Sequence, residues 1–272
     1  MKRKETIRLD GLSIGYLEKG QKSRTVAQDI NAALYEGEFT CLLGANGAGK
    51  STLLRTLSAF QPPLAGGISI RGNRLDALSG SERARLIGVV LTERTEVRHM
   101  TVSELTSLGR QPYTGFLGNL SPDDRIITDK ALELVGMKDF ANRMVDTLSD
   151  GERQKVMIAK ALAQETPIIF LDEPTAYLDY PSKVETMLLL CRLAHEEGKT
   201  IFLSTHDVEL ALQTADSLWM MKRRRGEDPT EESICIGSPK ELTENGQLGE
   251  FFTGKGFTFD PQTMRFCIDK TS

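Results

Sequence analysis

The chain has 272 residues, of which 34 are Lys or Arg and 38 are Asp or Glu, so its formal net charge is −4. Hydrophobic residues at 39% and charged residues at 26% are typical of a globular protein with a packed core. The slightly acidic balance argues against a dedicated nucleic-acid-binding protein, which usually carries a basic excess. No apolar run approaches the roughly 18 to 20 residues that cross a bilayer, and no apolar stretch follows the basic first four residues. The sequence therefore predicts neither a membrane span nor a secretory signal.

The four cysteines are far apart in the chain and form no CxxC pair. Such spacing is not typical of a disulfide framework or of a zinc site. We therefore expect buried thiols, in a reducing cytosol, at Cys41, Cys191, Cys235 and Cys267.

The first ninety residues predict several strands and one helix. Helical periodicity covers residues 50–60 and ends where Pro62 and Pro63 would stop a helix. Short strand-forming segments lie on both sides of this helix, over residues 7–9, 12–16, 39–43, 68–70 and 88–91.

The middle of the chain, residues 101–163, has a mostly helical pattern. Three helix starts are predicted within it, two from capping boxes and one from a serine before a proline: Thr101 with Glu104, Ser149 with Glu152, and Ser121 before Pro122. A helical block of this length, placed between strands, suggests an inserted subdomain.

Strands and helices alternate again after this block. Helices are predicted over residues 182–196 and 208–215, and the first of them carries a further capping box, Ser182 with Glu185. Strands flank them over residues 168–171, 200–204 and 217–221. This alternation indicates an α/β sheet with both faces covered.

The C-terminal part begins with a charged turn over residues 222–229, for which we expect a solvated hairpin rather than an anion site. A short strand follows over residues 234–236. The aromatic residues of the tail are expected to pack together rather than to bind a ligand: Phe251, Phe252, Phe257 and Phe259.

Residues 44–51 match the pattern GxxxxGK[ST] and lie between an apolar strand and a helix. Glycines let successive backbone N–H groups face one concavity, and the helix N-terminus adds partial positive charge. Lys50 supplies a full charge for the β- and γ-phosphates, and Ser51 offers Mg²⁺ a hydroxyl ligand. We therefore expect a nucleotide site, and not a ligand-free turn, at Gly44, Ala45, Asn46, Gly47, Ala48, Gly49, Lys50, Ser51 and Thr52.

Two adjacent carboxylates follow the apolar residues 168–171, which predict a buried central strand. Asp172 and Glu173 would be costly at such a place unless a cation or a substrate meets them. Because adjacent strand residues point to different sides, the two carboxylates can serve different tasks. We expect Asp172 to hold Mg²⁺ through a water and Glu173 to act as general base or to orient the attacking water.

His206 follows another apolar strand, residues 201–205. In open parallel sheets, ligands bind at the carboxyl ends of the strands, where the glycine loop, the acidic pair and His206 would all lie. We expect His206 to contact the γ-phosphate and to position the water. His99 and His195 are expected at the surface.

The motifs, taken in their order along the chain, resemble those of the ATP-binding subunits of ABC transporters. The resemblance covers about residues 7–222. The resemblance includes an adenine-stacking aromatic residue at Tyr16, a D-loop aspartate at Asp179 and a switch histidine at His206. In place of the family signature LSGGQ, the chain has what we call the signature segment: Leu148, Ser149, Asp150, Gly151 and Glu152. Residues 101–105 and 108–113 look, more narrowly, like the importers of ferric siderophores, haem and cobalamin.

The resemblance implies an α/β P-loop NTPase core with a mostly parallel sheet, an antiparallel β segment at the N-terminus and an inserted helical subdomain. We expect the core over residues 1–93 and 165–222, the helical subdomain over 94–164 and a C-terminal extension over 223–272. The resemblance also implies a head-to-tail homodimer in which ATP lies between Lys50 of one subunit and Ser149 of the other.

Two departures from the family pattern concern the chemistry. Glu93 stands where the family usually has Gln, a neutral ligand that links Mg²⁺ and the attacking water to the helical subdomain. The resemblance makes Glu93 a catalytic and metal-site residue, whose charge could bind Mg²⁺ tighter or repel the γ-phosphate. In the signature segment, Asp150 and Glu152 replace Gly and Gln. These changes bear on the rate and not on the reaction class.

The resemblance implies the ATPase subunit of an importer for an iron chelate, haem or cobalamin, which uses ATP and Mg²⁺. Its partners would be two integral-membrane permease subunits, docked around residues 94–118, and indirectly a substrate-binding protein. The chain would lie at the cytoplasmic face of the inner membrane, and no nucleic-acid partner is expected.

Other functions remain open. One is a soluble ABC-type ATPase that acts on ribosomes or DNA, although the tandem cassettes or coiled-coil insertions of such proteins are not seen. Another is an ABC ATPase for a different substrate class. A small-molecule kinase is disfavoured by the signature segment and His206, and a regulator that does not turn over is disfavoured by Glu173.

Overall fold

The computed structural model describes residues 3–17, 24–91, 99–115, 118–222, 234–252, 257–260, 263 and 265–268. Glu93 and residues 223–229 of the predicted charged turn lie outside the described residues.

The described strands are β1 Glu5–Tyr16, β2 Arg24–Tyr35, β3 Phe39–Gly44, β4 Ala65–Ile70, β5 Asn73–Arg74, β6 Ile87–Val90, β7 Ile168–Asp172, β8 Thr200–Ser204, β9 Ser217–Met221, β10 Ile234–Gly237, β11 Phe257–Asp260 and β12 Arg265–Ile268. The described helices are α1 Lys50–Leu57, α2 Gly80–Leu86, α3 Val102–Ser107, α4 Pro122–Leu134, α5 Asp150–Ala163, α6 Tyr180–His195, α7 Val208–Thr214, α8 Pro239–Glu244 and α9 Gln247–Phe252.

A six-stranded sheet in the order β10-β9-β3-β8-β7-β6 forms the centre of the fold. Its strands are parallel except for β10, which pairs with β9 in antiparallel direction at the edge. A second, antiparallel sheet has the order β2-β1-β4-β5, and β11 and β12 form a separate hairpin. The expected α/β fold, with an N-terminal antiparallel segment and an inserted helical block, is confirmed.

The two strand segments predicted at the N-terminus belong to one strand, β1. Its pairing with β2 and with β4 shifts register in the middle, next to Gly11. Gly11 has a φ of 56°, in the left-handed region that glycine adopts without steric cost. The shift is therefore a bulge within a continuous strand.

The central strands are buried on both faces, as parallel strands covered by other layers must be. Alternate side chains go to different cores: Ile169 and Leu171 of β7 face the helices α3–α6, whereas Ile168 and Phe170 face α1 and the antiparallel sheet. On that second face the rings of Phe170, Phe202 and Trp219 meet edge to face. The buried strand predicted before Asp172 is confirmed.

The capping boxes before α3 and α5 and the Ser121 cap of α4 are present with both reciprocal hydrogen bonds. The box predicted at Ser182 is wrong. Helix α6 begins earlier, at Tyr180, because the Asp179 side chain accepts a hydrogen bond from the Ser182 N–H at 3.0 Å. Glu185, which would have closed the box, pairs with Lys155 instead, at 2.8 Å.

Helix α1 ends three residues before the predicted end, and the prolines do not stop it. Ala59 adopts a left-handed φ of 59°, and the Phe60 N–H donates to the Arg55 carbonyl at 2.9 Å. The Ala59 N–H donates to the Thr56 carbonyl at 3.1 Å, which completes a Schellman C-cap. The chain has therefore left the helix before Pro62.

A buried arginine holds the helical block together. Arg110 donates to Asp124 Oδ1 at 2.8 Å, to the Ala163 carbonyl at 2.7 Å and to Glu165 Oε2 at 2.8 Å. Hydrogen bonds from the Ser121 hydroxyl and from Arg110 lower the pKa of Asp124 to about 2. Arg110, which follows α3, thus fastens the start of α4 to the end of α5.

The prediction of buried thiols holds only for Cys41. Cys191 and Cys235 are half-buried, and Cys267 is exposed on β12. Burial raises the pKa of the Cys41 thiol far above its ordinary value, so this group stays protonated. Across the described ranges, no three His, Cys, Asp or Glu side chains are grouped to hold a metal ion.

Two further predictions concern the surface and the tail. His99 and His195 are both exposed, as expected. In the tail, Phe252 and Phe259 each contact Phe266, and Phe251 contacts Phe252, which confirms an aromatic cluster; the Phe257 side chain lies outside what is described. No helix among the described residues is long and apolar enough to cross a membrane.

Candidate active site

The carboxyl ends of β3, β7 and β8 lie side by side at one edge of the central sheet. Their register places Leu42 opposite Ser204, and Asp172 opposite Ser204 on the other side. In parallel sheets, backbone hydrogen bonds fix such alignments along the whole strand. The segments that follow the three strands, with the glycine loop, Glu173 and His206, are therefore brought together.

The glycine loop runs from the end of β3 into α1. Gly49, just before the helix, has a φ of 110°, and a Cβ there would lie 2.2 Å from Val26 Cγ1. Only glycine fits this position. No side chain caps the N-terminus of α1, so its first N–H groups remain available to an anion.

Lys50 is folded back over the loop. Its Nζ donates to the Gly44 carbonyl at 2.9 Å, and only 6% of the residue is exposed. Burial lowers the pKa of Lys50, while the neighbouring carboxylates of Glu173 and Asp172 oppose that change. The ammonium group thus lies in a partly desolvated position, where it acts more strongly on a phosphate than it would in water.

Asp172 ends β7 between two hydroxyl groups. Ser204 Oγ donates to its Oδ1 at 2.6 Å, and Ser51 Oγ lies 3.3 Å from the same oxygen. The structure therefore joins the phosphate loop to the acidic pair, as the sequence predicted.

Glu173 and His206 are in direct contact, with Oε1 and Nε2 2.7 Å apart. The same Nε2 lies 3.3 Å from Lys50 Nζ. One nitrogen cannot donate to Glu173 and accept from Lys50 at once. The shorter distance places the proton on Nε2, with Glu173 as its acceptor, and leaves the approach of Lys50 as a close contact.

The backbone of Glu173 is unusual. Its φ of 48° is left-handed, which costs a non-glycine residue free energy and is concentrated at functional sites. The chain turns sharply there, and the Glu173 side chain leaves the strand direction toward His206.

Tyr16, at the end of β1, is half exposed, and its hydroxyl lies 2.9 Å from Thr52 Oγ1 in α1. The ring is therefore tied to the helix that follows the phosphate loop. The remaining site candidates lie on other elements. Ser149 and Glu152 of the signature segment bond to each other at the start of α5, and Asp179 caps α6.

Sequence reasoning missed two groups that support the site. Ser204 belongs to no sequence motif. Two predicted strands of similar length that end at residues 172 and 204 could nevertheless have suggested that Ser204 pairs with Asp172. Asp207 accepts from Thr175 Oγ1 at 2.7 Å and from Lys183 Nζ at 2.9 Å. These bonds tie the histidine segment to the segment after Glu173 and to α6.

Comparisons with known proteins agree with this geometry. The family profile described as ABC transporter matches residues 27–176. An uncharacterized ABC transporter ATP-binding protein of Methanocaldococcus jannaschii is 35% identical over 253 residues, 93% of this chain and 83% of that protein. The iron(3+)-hydroxamate import ATP-binding protein FhuC of Bacillus subtilis is 37% identical over 215 residues, 79% of this chain and 80% of FhuC.

A solved structure is similar as well. It is the dimeric post-hydrolysis state of the ATP-binding cassette MJ0796 bound to ADP and Pi, with a TM-score of 0.68 and 28% identity over 80% of this chain and 97% of that one. In this chain, which has the same fold, the phosphate loop, the acidic strand end and the histidine meet at one edge of the central sheet. The chain belongs to the ABC transporter family and is one of its ATP-binding, ATP-hydrolysing proteins.

Proposed function

We propose that this chain is the ATPase subunit of an importer that takes up an iron-siderophore, haem or cobalamin-type substrate through separate permease subunits. The observation that carries the ATPase part is the meeting of Lys50, Asp172, Glu173 and His206 at the ends of three parallel strands. The substrate class is supported by the likeness to an iron(3+)-hydroxamate import protein and by residues 101–113.

The nucleotide would bind on the glycine loop. The free N–H groups at the start of α1 and the Lys50 ammonium would hold the β- and γ-phosphates. Tyr16 would stack on adenine, since its ring is exposed and its hydroxyl is anchored on Thr52. Residues 44–52 are all within or next to this loop and are proposed as the nucleotide site.

Mg²⁺ fits the residues present. Ser51 Oγ and Asp172 Oδ1 are hard oxygen donors only 3.3 Å apart, next to the place where the phosphates would lie. Ser51 would hold the ion directly and Asp172 through a water, with Glu93 as a further proposed ligand. When bound, the ion would neutralise the charge that develops on the phosphates.

Glu173 would orient the attacking water and accept its proton. The water oxygen then bonds to the γ-phosphorus, the bond from phosphorus to the bridging oxygen breaks, and ADP leaves with that electron pair. His206 Nε2–H, which donates to Glu173 in this structure, would turn to a γ-phosphate oxygen. Lys50 would stabilise the same oxygens.

The position of the signature segment supports the proposed dimer. Ser149 lies at the N-terminus of the 14-residue helix α5, where the helix dipole favours an anion, and it would meet the ATP held by the other subunit. Asp179 lies between Tyr177 and Tyr180, two residues that are 70% and 64% exposed. Two such rings beside the site suit a face that another copy covers.

The proposed domain division is the one that the family resemblance implies. The P-loop core would comprise residues 1–93 and 165–222, and the helical subdomain residues 94–164. The permeases would dock on the helical side, around residues 94–118, where Tyr113 is exposed. The chain would then work at the cytoplasmic face of the membrane.

Affinity capture tests the importer function. The chain, purified from detergent-solubilised membranes of its own cells, is expected to bring with it a polytopic membrane protein in about equal amount. A Tyr113→Asp variant, which places a charge on the proposed docking side, should reduce that recovery. Recovery of ribosomal or DNA-bound partners instead would support the soluble ABC ATPase and contradict the importer.

A further inference from the structure

Ser204 occupies the last position of β8 and has no solvent-exposed surface. It lies opposite Asp172 in the pairing of β7 with β8. Its hydroxyl donates to Asp172 Oδ1 at 2.6 Å and accepts from the Glu173 N–H at 3.0 Å. One buried hydroxyl therefore contacts both residues of the acidic pair.

Asp172 Oδ1 has a second hydroxyl nearby, that of Ser51, but the two contacts differ. Ser204 is the closer, at 2.6 Å against 3.3 Å, and it belongs to a strand in the sheet interior, whereas Ser51 is an exposed residue in the first turn of α1. A hydroxyl that binds a cation points its lone pairs at that cation. Ser204 can keep its bond to Asp172 while Ser51 does so.

Ser204 also supports the strained turn at Glu173. The Glu173 N–H lies 3.0 Å from Ser204 Oγ and 3.1 Å from the Ser204 carbonyl oxygen, so both oxygens of one residue accept from it. A left-handed φ at a glutamate persists only where its surroundings fix it. These two acceptors hold the backbone that brings Glu173 to His206.

We propose that Ser204 is a positioning residue: through one hydroxyl it orients Asp172 toward the metal and holds Glu173 in the turn that directs it at the attacking water. This inference rests on the proposed function, because it needs Mg²⁺-ATP at this site. It does not make Ser204 a ligand of either.

The test compares Ser204→Ala with Thr200→Val in the full-length chain. Thr200 is a matched control, since it begins the same strand, is equally buried, and has its hydroxyl 2.9 Å from Thr6 Oγ1 and 3.0 Å from the Tyr35 carbonyl. Both variants lose one buried hydroxyl, but only Ser204→Ala loses it at the carboxyl end of the strand, next to the candidate site. Three quantities are measured: kcat, the Mg²⁺ concentration for half-maximal activity, and ATP affinity by calorimetry with Mg²⁺ and with EDTA.

We expect Ser204→Ala to lower kcat and to raise the half-maximal Mg²⁺ concentration, each by about tenfold, as is typical when a partner of a metal ligand is removed. ATP affinity in EDTA should not change, because Lys50 and the loop amides are untouched, whereas the gain in affinity on adding Mg²⁺ should shrink. Thr200→Val should leave all three at the parent values. Should Ser204→Ala fail to fold, Ser204→Cys, which keeps the volume and weakens the donor, replaces it.

The inference would be overturned if Ser204→Ala left both kcat and the Mg²⁺ dependence unchanged. It would also be overturned if Thr200→Val changed kcat and the Mg²⁺ dependence as much as Ser204→Ala does, because that result would show a general effect of strand packing. An Asp172→Asn arm separates the two levels of the proposal. If Asp172→Asn alters the Mg²⁺ dependence and Ser204→Ala does not, only the role of Ser204 fails. If neither does, the metal site itself fails.

Discussion

Replacing Glu173 with Gln is expected to suppress phosphate release while leaving ATP bound. The amide keeps the shape and hydrogen bonding of the side chain but cannot accept the proton of the attacking water. General-base contributions are typically about 10² to 10⁴-fold in rate, and we expect a loss in that range. Lys50, Ser51 and the loop amides are not touched, so ATP affinity should be kept.

The same variant should be a monomer without nucleotide and a dimer with ATP. Removing one carboxylate reduces repulsion of the γ-phosphate, and the closed dimer would outlive the measurement when hydrolysis is blocked. ADP should not support the dimer, because it lacks the γ-phosphate that Ser149 would hold across the interface. Light scattering with each nucleotide, beside a phosphate-release assay, measures both effects.

Glu38→Gln is the matched control for this variant. Glu38 is a carboxylate too, and a more deeply buried one, but it precedes β3 at the opposite edge of the sheet. There burial raises the pKa of Glu38, and Thr40 Oγ1 donates to it at 3.0 Å. Its replacement should leave hydrolysis near the parent rate. Hydrolysis at the parent rate in Glu173→Gln itself would refute the catalytic role of Glu173.

Replacing Lys50 with Ala is expected to weaken ATP binding and to abolish hydrolysis. Lys50 supplies the full positive charge of the glycine loop, from a position that is only 6% exposed. Charge-assisted hydrogen bonds are stronger than neutral ones, and the γ-phosphate loses one in both the bound and the reacting state. Calorimetry with ATP and a phosphate-release assay check the two effects.

Lys199→Ala controls for the loss of a lysine whose ammonium group is partly desolvated. Lys199 also has its pKa lowered by burial, and its Nζ donates to the Thr166 carbonyl at 2.8 Å, but at the far edge of the sheet. The Lys199→Ala substitution should lower the free energy of unfolding without changing the rate of ATP hydrolysis per folded molecule. Equal activity of Lys50→Ala and the parent chain would remove the nucleotide-site assignment.

Local patterns in the sequence predicted much of this fold. The capping boxes at Thr101 and Ser149 and the glycine loop before Lys50 depend on residues a few positions apart, so their chemistry can be recognised without the fold. The apolar runs before Asp172 and His206 likewise specify buried strands by composition alone. These strands then place the candidate site at their carboxyl ends.

The errors arose where neighbouring signals compete or where contacts are distant. Asp179 and Ser182 both suit an N-cap, and only the bond from the Ser182 N–H to Asp179 shows which one begins α6. Ala59 gave no sign of a left-handed C-cap. The Ser204 contacts depend on strand register across 31 and 32 residues, and no local pattern records that alignment.

Mixing two inactive variants tests most directly whether two copies of this chain build a composite ATP site. Lys50→Ala damages the phosphate loop, and Ser149→Arg damages the signature segment. Each parent homodimer has two damaged sites, whereas the mixed dimer has one site damaged twice and one intact. We predict that phosphate release from Mg-ATP, near zero for each variant alone, recovers on mixing; no recovery at any ratio, with both chains folded, would contradict the composite site.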